Sequence, residues 1–134
     1  MNEMKTLSKK NTFHLSKNRQ REILYFIKQY PEFKAELKEI DGMKSWLIKM
    51  DGTRDVRDDS FVNVIFRRSK LIEKIEIIEG SAKEVSEVLW KHLIDSAVTD
   101  RSWDFYDLYF HIDCGRNTWY RLKREFLWRV EGKR

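Results

Sequence analysis

Three observations predict an all-α fold for this chain of 134 residues. It contains one Pro and only five Gly, too little punctuation for a protein of many short strands. Apolar residues recur at three- and four-residue intervals, the spacing of an amphipathic helix face. Charged residues make up 37% of the chain, so each helix buries a narrow stripe and keeps an ionic outer side. Five Trp, eight Phe and five Tyr supply bulky side chains for those stripes. The expected layout is a helical domain with an N-terminal helical hairpin, a long central helix and a C-terminal helix-turn-helix.

Residues 1–15 are polar, basic and aperiodic, and read as a flexible basic lead. Residues 16–50 read as the hairpin. Ser16 can cap a first helix, with Ile23, Leu24, Phe26 and Ile27 on its apolar side and Gln29 near its end. The residue before a proline is pushed out of the helical region, so Tyr30 and Pro31 break that helix. Pro31 then suits the first turn of a second helix carrying Phe33, Leu37, Ile40, Met43 and Leu47. Asp41 and Gly42 are a possible interruption. The two helices are expected to bury these faces against each other.

Residues 51–60 (DGTRDVRDDS) form a charged linker. A long helix then carries Phe61, Ile65, Leu71 or Ile72, Ile75 and Ile78, with Gly80 expected to close it. Ser81 and Glu84 have the capping-box spacing, and predict a new helix with Val85, Val88, Leu89, His92 and Leu93 on its apolar side. Residues 96–101 read as a loop, and Thr99 or Ser102 as the cap of the next helix. The helical domain thus spans 61–134.

Residues 105–124 have the spacing of a helix-turn-helix. Leu108 and Ile112 are i,i+4 partners on one helix, and Trp119 and Leu122 are i,i+3 partners on the next. With Cys114 in the turn, these are expected to form one packed wedge. The second helix would then expose Arg116, Asn117, Tyr120, Arg121 and Arg124. Arg and Asn are the side chains that make paired contacts with guanine and adenine edges in a major groove. Arg116, Asn117 and Arg121 are the expected base contacts, with Tyr120 and Arg124 of mixed role. Thr118, Lys123 and Arg129 are expected at phosphates.

Charge placement agrees with a polyanion partner. The net charge is +5, and residues 115–134 carry seven Lys or Arg against two Glu. Residues 1–21 carry six against one, so the intervening stretch is acidic overall. Double-stranded DNA is the expected partner, and no membrane, because no run approaches the length of a membrane span. The polar start lacks a signal-peptide stretch, and a cytoplasmic location is expected.

No chemistry is legible. His14, His92 and His111 lie far apart, with no metal-ligand spacing among them. Asp58 and Asp59 sit in the charged linker, where solvated acids are the simple reading. Asp104 and Asp107 lie near a helix start, where negative charge favours the dipole. Cys114 falls at an apolar turn position and reads as a small buried thiol, not a nucleophile. No catalytic residue, metal or cofactor is expected, and the chain does not read as an enzyme.

The order of parts resembles the small phage-encoded transcription regulators of the RinA and ArpU type. The residues that carry the likeness are Tyr30, Pro31, Phe33 and Leu37, then Arg67, Arg68 and Leu71, and then the run from Arg116 to Arg124. In that family the C-terminus looks like the promoter-reading helix-turn-helix of a sigma factor. Phe105 matches its aromatic, Leu108 its Ile, and Thr118, Tyr120 and Arg121 its Thr-x-Tyr-Arg run. Tyr109 replaces an Ala and Gly115 a Ser. The resemblance implies a sequence-specific DNA-binding activator of late phage or island genes, working beside host RNA polymerase.

Two further expectations stand beside that one. The chain could instead be a protein-interaction module that binds and inhibits another regulator, since Asp104, Asp107 and Asp113 would repel phosphates. A homodimer is also expected, because helix-turn-helix proteins commonly pair to read two half-sites.

Overall fold

The computed structural model describes residues 11–50 and 59–134, with side chains described outside 44–50 and 59–61. Among the described residues the fold is all-α: six helices and no strand. In chain order they are α1 (Lys17–Lys28), α2 (Tyr30–Met50), α3 (Asp59–Val85), α4 (Trp90–Thr99), α5 (Trp103–Phe110) and α6 (Arg116–Lys133). The helices fall into two compact units. One comprises the chain up to Gln29 together with Ile77–Arg134, the other Tyr30–Glu76. Most of the expected linker, residues 51–58, and residues 1–10 of the expected lead lie outside the described residues.

The first unit is built on α1, α4 and α6. Ser16 caps α1 as its sequence position requires, its hydroxyl accepting from the Arg19 amide at 3.3 Å. Ile23 and Ile27 are fully buried, and α1 packs on α4 and α6. The face expected to close a hairpin with the following helix is thus used, within its own unit, against distant helices. Ile78 and Ala82 of α3, Leu93 and Ala97 of α4, and Phe126, Leu127 and Val130 of α6 complete the core. The outer seam is ionic: Arg134 donates to Glu22 at 3.1 Å and stands over the Phe26 ring, and Lys28 pairs with Asp100 at 2.6 Å. Leu15 is buried and Phe13 meets Trp128 edge-on at 5.4 Å. The end of the expected lead is therefore anchored, because its two apolar side chains find partners.

Two breaks fall elsewhere than expected. Helix α3 runs through Gly80 and Ser81 to Val85, so neither closes nor opens a helix there. A glycine inside a helix costs only about 1 kcal/mol relative to Ala. Burying Ile78 and Ala82 on the same face outweighs it. Ser81 is wholly buried, and Glu84, the expected capping-box acid, instead pairs with Lys133 and Arg129. The break comes at residues 86–89, where the Ser86 hydroxyl accepts from the Leu89 amide at 3.0 Å. Val88, expected on an apolar face, is exposed at this break. Helix α4 then continues to Thr99 through most of the expected 96–101 loop, and Asp100 ends it in the left-handed region (φ 61°).

The second unit pairs α2 with the first part of α3. Helix α2 is continuous through Asp41 and Gly42. Phe33, Ile40, Leu71 and Ile75 are its buried side chains. Glu36 pairs with Arg67 at 3.3 Å, Asp41 with Arg68 at 2.7 Å, and Lys74 caps the Phe33 ring at 5.1 Å. Met43 and Ile65, expected in the apolar stripes, are exposed here.

Candidate nucleic-acid interface

Helices α5 and α6 are joined by residues 111–115. His111 ends α5 in the left-handed region (φ 49°, ψ 49°), its amide donating to the Asp107 carbonyl at 3.2 Å. Gly115 is extended and its carbonyl accepts from the Trp119 amide, opening α6. The contact between the two helices is aromatic: Tyr106 and Trp119, both fully buried, lie 5.1 Å apart. Ile112 is buried beneath the turn and Cys114 is half-buried, its thiol pKa pushed up by burial.

This wedge corrects the expected register. Leu108 was to face Trp119, but it is 66% exposed, and Tyr106 holds the position instead. The physical reason is that α5 spans only Trp103–Phe110 and packs through Tyr106, its one fully buried side chain, with the half-buried Trp103 an i,i+3 step before it. Residue 108, two positions from Tyr106, is turned well away. The Tyr106 hydroxyl is also anchored, donating to Asp95 Oδ2 at 2.6 Å. Burial and that bond raise its pKa above the ordinary tyrosine value. The pair Trp103 and Tyr106 was legible in the sequence as an aromatic alternative to Leu108, whereas Ile112 is buried as expected but lies in the turn past the end of α5, not on the helix with Leu108.

On α6, the buried Trp119, Phe126, Leu127 and Val130 define the inner face. Helical spacing puts Asn117, Arg121, Arg124 and Trp128 along the opposite line. Asn117, Thr118 and Arg121 are exposed, Tyr120 and Arg124 partly so. Among the described residues Arg121 makes no ion pair, and Arg124 Nε is buried without a hydrogen-bond partner. Arg116 is exposed but engaged, its NH2 donating to Asp104 Oδ1 at 2.9 Å. The first turn of α6 contains no acid and has no side-chain cap, so its free amides add positive potential at this end.

Two expected phosphate contacts sit differently. Lys123 is i,i+4 from Trp119 and from Leu127, which places it at the edge of the inner face. It is half-buried, and burial pushes its pKa down to about 8. Arg129 donates to Glu125 at 2.8 Å and to Glu84 at 3.2 Å, so its charge is already neutralised. These carboxylates hold the guanidinium pKa up, and Lys133 together with Arg129 holds that of Glu84 down. The face that remains basic is therefore the first half of α6.

Beside it, α5 presents Leu108, Tyr109 and Phe110, each more than half exposed, with Asp107 and Asp113 at the rim. The His92 and Phe110 rings meet tilted with centres 4.6 Å apart, as do Phe105 and Tyr109 at 4.9 Å. Among the described residues no group of three or more His, Cys, Asp or Glu side chains is placed to hold a metal ion. None of their helices is long and apolar enough to cross a membrane. Comparison with protein-family models, curated proteins and solved structures finds no match for the chain.

Proposed function

We propose that this protein is a sequence-specific DNA-binding transcriptional regulator in which α5 and α6 act as a helix-turn-helix and α6 reads the major groove. One observation carries the reading: Asn117 and Arg121 lie exposed along the line of α6 opposite the fully buried Trp119, with Arg116 and Thr118 exposed beside them in the first turn. A helix held this way presents fixed donors, which base recognition requires, while its uncapped first turn favours nearby phosphate. Asn117 and Arg121 are the primary base contacts, joined by Arg116, with Tyr120 and Arg124 flanking and Thr118 at a phosphate. Lys123 drops out of the contact set because it lies at the edge of the inner face with its charge disfavoured by burial, and Arg129 because two carboxylates, Glu125 and Glu84, share its guanidinium, whereas Arg116 has one. The resemblance in organisation supplies the context: activation of late phage or island genes in a bacterial cytoplasm.

The exposed Leu108, Tyr109 and Phe110 with their acidic rim favour a second reading, a module that binds another regulator. Selection of duplexes from a randomised pool separates the two. DNA reading predicts an enriched motif whose binding weakens steeply as salt rises. A pool that emerges without enrichment overturns it in favour of the second.

A further inference from the structure

Arg116 differs from Arg121 in being held by two neighbours. Its NH2 group donates to Asp104 Oδ1 at 2.9 Å, and its guanidinium carbon lies 5.4 Å from the centre of the Trp103 ring. Trp103 is itself fixed, since its indole N–H donates to the Cys114 carbonyl at 2.8 Å. The start of α5 and the end of the turn thus hold one guanidinium beside the first turn of α6. The paired side chains are 59% and 65% exposed, so their ionic attraction contributes little to stability. Its consequence is orientation. An arginine side chain loses much rotamer freedom on binding, and prior placement removes part of that loss. Asp104 engages one end of the guanidinium and leaves donors over for the O6 and N7 of a guanine.

We propose that Asp104 and Trp103 are positioning residues that pre-orient Arg116, and that Arg116 selects guanine at one base pair of the DNA site. The inference rests on the DNA-reading function proposed above. It has a signature that charge alone would not produce. The Asp104 carboxylate repels phosphates, so removing it should tighten binding to unrelated DNA while loosening the choice of base.

The test uses the full chain and a duplex enriched from a randomised pool, with each base pair of that duplex varied in turn. Arg116→Ala should abolish a guanine preference of about tenfold at one position. Asp104→Ala should reduce the preference at that same position by roughly three- to fivefold, the loss expected for freeing one long side chain. Its affinity for unrelated duplex should hold or rise. Asp104→Asn, which keeps the acceptor oxygen, should retain most of the preference, and thermal melting checks that all variants fold. If Asp104→Ala shifts every sequence by one common factor, or alters a different position, the positioning role is overturned. If the wild-type chain enriches no duplex, the DNA-reading function itself has failed and the inference falls with it. An enriched site with no guanine dependent on Arg116 overturns the inference alone.

Discussion

Lys123 shows how a basic residue on a basic helix can belong to the core edge instead of the binding face. Its pKa near 8 means that, below that pH, the native state buries a charge that the unfolded chain keeps in water. Between pH 8 and 10.5 the native state sheds the proton while the unfolded state retains it, so the contribution of Lys123 to stability rises with pH in this window. Unfolding titrations across pH 7–10 should show that rise, and Lys123→Met should flatten it. The same variant should gain roughly 1–2 kcal/mol at pH 7, after allowing for solvent screening of a partly exposed group. A variant that is less stable at pH 7 would contradict the assignment. Tyr106 has the opposite sign. Its raised native pKa contributes stability that is fully present below the ordinary tyrosine pKa and is lost as pH rises from there through the raised native value. Tyr106→Phe should cost about 1–2 kcal/mol at neutral pH, from the lost bond to Asp95.

Among elements, the all-α class and the six helices were legible, because Pro31, the Ser16 cap and the three-to-four periodicity are local signals. What was not legible depended on competition between local rules and packing. Gly80 reads as a stop, yet the faces of Ile78 and Ala82 carry α3 past it. In α5 two stripes compete, and burial of Tyr106 against Trp119 settles the register two residues away from Leu108. Melting of point variants checks this. Trp119→Ala should cost about 3–5 kcal/mol, as large aromatic truncations in cores do. Leu108→Ala should cost less than about 0.5 kcal/mol, the scale of surface changes; a core-sized loss there would restore the sequence register. The exposed His111, held at positive φ, should tolerate His111→Gly with a gain of up to ~1 kcal/mol.

At the scale of the whole molecule, the excess of positive charge at residues 115–134 was plain in the sequence, but its availability was not. Ion pairs from Glu84, Glu125, Glu22 and Asp104 take up Lys133, Arg129, Arg134 and Arg116. No count of Lys and Arg could foresee them, since Glu84 and Glu22 come from distant parts of the chain. The basic surface left for a polyanion is narrower than composition implies: it centres on Arg121 and Arg124, with Arg116 held beside them by Asp104 and keeping free donors. Arg121→Ala and Arg129→Ala remove the same charge from the same helix, so comparing them separates position from charge. The deciding measurement is the dissociation constant of each variant for an enriched duplex, at one fixed salt concentration. A reading helix centred on Arg121 predicts that Arg121→Ala loses about 1–3 kcal/mol of specific binding and relaxes one base position, with Arg129→Ala close to wild type. Equal affinities for the two variants, or a larger loss for Arg129→Ala, would contradict the account.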